Sequence, residues 1–282
     1  MKNIVVTGGS GKLGSKVIED LLKHGYSVVS VDQRTPANPL CHNVPANLNH
    51  LGEVYGVLKK ADAVIHLAAY PAPRIVTDEV TFYNNTMSTF NILEAAATLK
   101  LPKVVLGSSE SIYGIAYSDI GAGPLYVPID EEHPLQISDC YGLSKQVNEQ
   151  TAEMYYQKTG MQIVSLRYAY IMNDADYEHN RPLLNNPDRF KKNVWSYIDI
   201  RDAVSATRLS LEANGLGATM LNITADESFA IVDSAELMKR NYPHVTDIRE
   251  PIEGLKALYS NEKAKRLLGW KPEHSFRSTI KL

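Results

Sequence analysis

Tyr141 and Lys145 stand four residues apart in the stretch CYGLSKQVNEQ. On a helix that spacing puts both side chains on one face. A phenol ordinarily titrates near ~10, and a neighbouring ammonium favours its ionised form. Such a pair could act as a general base toward a hydroxyl, or as an acid toward a carbonyl. A surface helix also carries this pair by chance, so the spacing alone leaves both readings open.

A second stretch is more specific. TGGSGKLG (7–14) directly follows the apolar run KNIVV and opens a helical run. Gly8, Gly11 and Gly14 recur every third residue. The first allows a tight turn, the second lets the backbone approach a pyrophosphate, and the third lets helix and strand pack closely. The helix N-terminus, with Ser10, Lys12 and Leu13 around it, offers free N–H groups and a positive dipole to phosphate. Asp32 ends the next apolar run, 18 residues after Gly14. An acid at that place suits a ribose 2′-hydroxyl and repels a 2′-phosphate. The pattern therefore predicts a dinucleotide site, with NAD favoured over NADP. Lys12 and Arg34 are the nearby charges that would meet a 2′-phosphate, or else are solvated surface groups.

The elements that must hold these residues alternate. NIVVT (3–7), YSVVSVD (26–32), DAVIHLAA (62–69), PKVVLGSS (102–109) and MQIVSLR (161–167) read as buried strands. Helical spacing fills 12–24, 79–99 and 142–158. On the 79–99 segment Val80, Tyr83, Met87, Phe90, Leu93 and Ala97 form one apolar stripe. Alternation of this kind predicts an α/β fold with a doubly wound parallel sheet of the Rossmann type. Residues 1–168 would form the dinucleotide-binding domain. Residues 169–282 would form a small substrate-covering region, interleaved with elements that return to the main sheet. The polar stretch 172–195 reads as loop, 199–213 as helix, 218–224 as strand, and 233–241 and 260–268 as helices.

The 282 residues carry a net charge of -3, so no basic surface argues for nucleic acid. Cys41 and Cys140 form no CxxC motif, and no metal site or disulfide framework is expected. No apolar run reaches the ~18 residues of a membrane span. The chain opens on a strand in place of a signal peptide, and a cytoplasmic location is the expectation.

In order, TGGSGKLG, Asp32, DAVIHLAA, NNTMSTFNILEAA, GSSESIYG, YGLSK and LGWKP span nearly the whole chain. This ordered set resembles the extended short-chain dehydrogenase/reductase family, also called the NAD-dependent epimerase/dehydratase family. The resemblance implies that Tyr141 is the catalytic acid/base. It implies that Lys145 binds the nicotinamide ribose and lowers the tyrosine pKa, and that Ser109 hydrogen-bonds the reacting oxygen. Leu67, Ala68 and Ala69 would pass beside the cofactor, and Asn85 matches an asparagine on the helix under the site. His66 reads as a satisfied core histidine. Homodimers would form through the helices near 79–99 and 141–158.

Three departures bear on substrate. Asn47, before Leu48, stands where the family has an acid near the adenine. LRYAYIMND replaces the usual LRYxNxYGP, so Tyr168 and its neighbours line the nicotinamide side differently. Only 137 residues follow Lys145, fewer than a nucleotide-sugar enzyme of the family usually has. The likeness is then strongest to the uronate and sugar dehydrogenase branch, in which an arginine beyond the strand holds a sugar carboxylate. Arg181 is the nearest match and Arg189 the other arginine of that stretch. Glu110 and Ser111, next to Ser109, would face the substrate. The leading expectation is oxidation of a small sugar or sugar acid by hydride transfer to NAD. The alternatives are a nucleotide-sugar epimerase or dehydratase that retains its cofactor, and a dinucleotide-sensing regulator without turnover.

Overall fold

The computed structural model describes residues 2–280. The run of β-branched residues after Lys2 forms β1 (Asn3–Thr7), and α1 (Lys12–Lys23) follows the glycine loop. Next come β2 (Ser27–Asp32), β3 (His42–Pro45), α2 (Leu51–Leu58), β4 (Ala63–His66), α3 (Asp78–Thr98) and β5 (Lys103–Ser109). A short 3-10 helix (Glu110–Tyr113), β6 (Tyr126–Val127), α4 (Cys140–Thr159) and β7 (Gln162–Tyr168) complete the first part. Seven strands form one parallel sheet in the order β10-β7-β5-β4-β1-β2-β3, with β10 (Ala218–Ile223) returning at its edge. Chain direction across the sheet reverses between β1 and β4. In open α/β sheets that switch point is where ligands bind, beyond the carboxyl ends of the strands.

Between β7 and β10 lie β8 (Ile171–Met172), α5 (Asp174–Leu184), β9 (Ile198–Asp199) and α6 (Ile200–Glu212). After β10 come α7 (Ser234–Asn241), β11 (Asp247–Ile248), α8 (Glu262–Leu268) and α9 (Phe276–Thr279). The polar stretch 172–195 is thus no simple loop. Asn173 and Asp176 make a reciprocal capping box that starts α5, and Tyr177, Asn180 and Leu184 give it a buried face. A 3-10 turn over Pro187–Asn193 follows. Its polar composition hid a helix whose start is dictated by capping instead of apolar spacing.

Each face of the sheet has its own core. Val17, Ile18 and Leu21 of α1 pack with Ala203 and Ala206 of α6 on one side. Ile92, Leu93 and Ala96 of α3 pack with Tyr155 of α4 on the other. A third cluster joins Tyr113, Val127 and Ile129 to Tyr177, Trp195, Tyr197 and Phe229, so the cover draws on residues before 168 as well as after.

Helix α3 corrects the apolar-stripe reading. It buries Thr81, Asn85, Ser88, Thr89 and Asn91, while Val80, Tyr83 and Phe90 are exposed. The polar residues face inward because each but Thr81 has a hydrogen-bond partner there, as with Asn91 to the Leu48 carbonyl (2.9 Å).

Candidate active site

At the mouth of β1, Gly8 adopts φ +70°, and a Cβ there would lie 2.7 Å from the Ala68 amide nitrogen. A Cβ on Gly14 would collide with the Gly8 carbonyl. The loop can therefore be this tight only with glycine at both places. No side chain caps α1, so its first N–H groups are left for a ligand. The Asp32 carboxylate accepts from the amides of Ser10 (3.1 Å) and Arg34 (3.2 Å), which fixes it at the end of β2. This cradle fits a dinucleotide: glycine-lined backbone and a helix N-terminus for the pyrophosphate, a fixed carboxylate for the ribose.

The loop opens into a cavity of about 830 Å³. Gly8, Ser10, Gly11, Lys12, Leu13, Gly14 and Asp32 line one end, with Leu48, Leu67, Ala68 and Ala69 along the wall. Ser109, Glu110, Ser111, Tyr141, Lys145 and Tyr168 line the other. Three expected residues do not line it. Asn47 turns its side-chain oxygen to the Asn49 amide (3.1 Å), a local turn bond, and its neighbours Ala46 and Leu48 reach the cavity instead. Asn85 is buried and grips both backbone groups of Tyr70, accepting from its N–H (2.9 Å) and donating to its carbonyl (3.1 Å). It shapes the wall without being part of it. Arg181 sits on the outer side of α5, half exposed, 3.4 Å from Glu178. Forming a helix where a loop was expected turned it away from the cavity, and the exposed Arg189 does not line it either.

Asp139 caps α4 through the Gly142 amide (2.8 Å), which places Tyr141 and Lys145 in its first two turns. Both are buried. Lys145 Nζ donates to the Gly107 carbonyl (2.7 Å) and lies 5.5 Å from the Tyr141 ring centre. Ser109 ends β5, caps the following 3-10 turn through the Ser111 amide (3.2 Å), and lines the same cavity as Tyr141. Burial drives the Tyr141 phenol well above its ordinary range, and the neighbouring Ser109 hydroxyl is what opposes it. Burial also lowers Lys145 to about 8, against the pull of Glu149. The expected lowering of Tyr141 by Lys145 is thus not supplied by the protein alone. Burial dominates the shift, and Lys145 is not among the groups that oppose it. Glu110 is pushed up to about 8 by burial. Its Oε1 accepts from Asn193 Nδ2 (3.0 Å).

Lys12 ties the glycine-loop helix to the cover, donating to the Ile171 carbonyl (2.7 Å) and pairing with Asp176 (2.5 Å). Tyr168 closes the wall with its hydroxyl on Thr207 (2.6 Å). His66 is a core histidine, fixed between Thr7 (2.6 Å) and Thr89 (3.2 Å) and lowered to about 3 by burial. The sequence reading missed Tyr117, Tyr70 and Asn193 as lining residues. Asn193 lies in a stretch with no periodicity, and only the contact with Glu110, 83 residues away, marks it. Among the described residues no cluster of ligating side chains could hold a metal ion, and no helix is long and apolar enough to cross a membrane.

Fold and site together define a Rossmann-type dinucleotide-binding protein carrying a serine, a tyrosine and a lysine at one end of its cavity. The chain belongs to the NAD dependent epimerase/dehydratase family, whose profile matches residues 4–181. It is 27% identical to a putative UDP-glucose 4-epimerase of Methanocaldococcus jannaschii, over 99% of this chain and 96% of that protein. It is similar in structure to a UDP-galactose 4-epimerase (TM-score 0.72, 26% identity, 99% and 96% of the two chains). A short-chain dehydrogenase/reductase superfamily protein from Agrobacterium tumefaciens with bound NAD shares the fold (TM-score 0.76, 21% identity, 99% and 95%).

Proposed function

We propose that this enzyme is a nucleotide-sugar epimerase that acts at carbon 4 of a UDP-hexose and retains NAD. One observation carries the reading: Ser109, Tyr141 and Lys145 meet in the same cavity that the glycine loop opens. The relatives' names, UDP-glucose 4-epimerase and UDP-galactose 4-epimerase, supply the substrate class. NAD, when bound, supplies reversible hydride acceptance at the sugar carbon. Tyr141 takes the hydroxyl proton as the carbinol becomes a ketone, and returns it when the ketone is reduced on its other face. Ser109 holds the reacting oxygen and the phenol in one geometry. Lys145, anchored on Gly107, keeps a positive charge beside the Tyr141 ring. NAD is favoured over NADP because Asp32 lines the ribose end while Lys12 is committed to Ile171 and Asp176. The exposed Val80, Tyr83 and Phe90 of α3, with Leu143 and Met154 of α4, favour a homodimer through these two helices.

A second reading keeps one support. Among the described residues none beyond Asn193 lines the cavity, so the last third of the chain offers no clamp there for a nucleotide. That favours oxidation of a small sugar with net cofactor reduction. The test pairs chromatography of UDP-glucose and UDP-galactose with absorbance at 340 nm. Interconversion without net absorbance, lost in Tyr141→Phe, is expected. A steady rise at 340 nm on a free sugar or sugar acid, with no interconversion, overturns the epimerase.

A further inference from the structure

Beneath the cavity lies a buried ion pair that the proton transfer does not use. Glu149 follows Lys145 by one helical turn on α4, and Arg167 lies on β7. Both are almost fully buried. Arg167 holds the carboxylate with two bonds, Nε to Oε1 (3.0 Å) and Nη2 to Oε2 (2.8 Å). Ser108 of β5 donates to the same Oε1 (2.7 Å), and it pairs in register with Arg167 across the two strands. Arg167 Nη1 reaches on to the Tyr113 hydroxyl (2.9 Å) and the Glu131 carbonyl (3.1 Å). One carboxylate thus joins α4, β5 and β7 at the residue between Gly107, which anchors Lys145, and Ser109, which lines the cavity with Tyr141.

A buried ion pair is poor evidence for stability, since apolar residues of similar volume commonly replace one at little cost. Its place here suggests another use. We propose that the Glu149–Arg167 pair is a positioning device for the Ser109, Tyr141 and Lys145 site. Its bonds fix the end of β5 against α4, and its carboxylate keeps Lys145 charged in an apolar seat. The inference rests on the reading of Tyr141 and Lys145 as the reacting pair. The groups facing Lys145 are few. Tyr141 and Glu149 share its helix, Arg167 of β7 holds the far side of the Glu149 carboxylate, and His66 lies on β4, lowered by burial. Burial lowers Lys145, and Glu149 is the one charge that opposes this.

The test is the titration of Lys145 itself, by trace acetylation across pH read by mass spectrometry. Glu149→Gln with Arg167→Met removes both charges and keeps an acceptor for Ser108. The variant is expected to fold, with the Lys145 midpoint lower by about one pH unit, a roughly tenfold rise in the neutral-to-charged ratio at neutral pH. Glu149→Asp, which keeps the charge but withdraws from Arg167 and Ser108, separates the two roles. Its midpoint stays near that of the wild type, while kcat on the productive sugar falls about tenfold with little change in KM. A folded double variant with an unmoved midpoint overturns the electrostatic role. If the double variant does not fold, a midpoint in Glu149→Gln alone, held with saturating NAD, equal to that of Glu149→Asp does the same. Unchanged kcat in Glu149→Asp overturns the positioning role. If the wild type turns over no sugar, the epimerase reading fails by itself, and the Lys145 titration still decides this one.

Discussion

The two ends of the cavity are built from different materials. At the dinucleotide end the backbone does the work. Gly8 donates to Val31 (2.8 Å), Gly11 donates to Gly8 (3.0 Å), and Asp32 collects two amides, Arg34 two residues on and Ser10 from the glycine loop. All of it comes from residues 7–34. At the end proposed to hold the sugar the work falls to buried or half-buried side chains from distant places: Ser109 at the end of β5 and Glu110 after it, Tyr141 and Lys145 on α4, Asn193 from the cover. The difference teaches where each end is vulnerable. The first fails when a side chain is added, the second when a functional group is removed.

Removing one group should give the largest effect. Tyr141→Phe keeps the ring against Tyr117, whose centre is 6.0 Å away, and loses only the hydroxyl. Turnover is expected to fall about a hundred- to ten-thousandfold, with dinucleotide affinity retained in a fluorescence titration. Loss of affinity in step with turnover would mean that the two ends are not separable. Adding one carbon at the other end should do the converse. Gly14→Ala drives a Cβ into the Gly8 carbonyl. The strain is expected to cost about 1–3 kcal/mol in thermal unfolding, and dinucleotide affinity should fall while any residual kcat is kept. A variant with wild-type affinity would break the contrast.

That contrast also explains what the sequence could reveal. A backbone cradle needs glycine at fixed spacing between a strand and a helix, and a local pattern of that kind is visible in one line of letters. Most of the parallel sheet was equally legible, because its inner strands are continuous apolar runs, while the edge strand β3, HNVP, carries no such run. The other end was legible in Ser109, Tyr141 and Lys145, which the fold brings into one cavity, and much less so in the rest of its lining. Asn193 meets Glu110 only after the chain has crossed the sheet again. Arg181 was placed by the resemblance, in a segment whose composition read as loop, and the capping box of Asn173 and Asp176 makes that segment a helix. The apolar stripe of α3 obeyed the helical period, but Val80, Tyr83 and Phe90 face outward and only its Leu93 is fully buried in the core, because polar contacts with α4, the Tyr70 turn and the Leu48 carbonyl claim much of the inner side.

A smaller effect should appear in the pH dependence of stability. Burial raises Glu110 from 4.5 to about 8, so the folded state binds more protons than the unfolded chain between those values. Its contribution to stability is therefore complete below about 4.5 and is lost as pH rises through 8. Lys145 is lowered from 10.5 to about 8, and its contribution is present above 10.5 and lost as pH falls toward 8. The two windows meet without overlapping, so unfolding between pH 5 and 8 reads Glu110 apart from Lys145. Glu110→Gln is expected to flatten that decline in Tm and to keep a partner for Asn193. An unchanged slope would assign the decline to another group.

Arg181→Ala is expected to do least, and that is its use. The side chain is half exposed on α5, beside Glu178 and outside the cavity lining. Substitutions of that kind usually stay within about 0.5 kcal/mol, so KM and kcat should change by less than about twofold on the productive sugar. The measurement compares UDP-hexoses with free sugar acids. A KM rise confined to sugar acids would require α5 to bring this guanidinium into the cavity when substrate binds. It would restore a carboxylate clamp, and with it the small-sugar dehydrogenase, and it would extend the sugar end of the cavity beyond the residues that now define it. An unchanged KM on both classes leaves the recognition of substrate to Ser109, Glu110, Ser111 and Asn193, the side chains that line that end without a carboxylate-binding arginine among them.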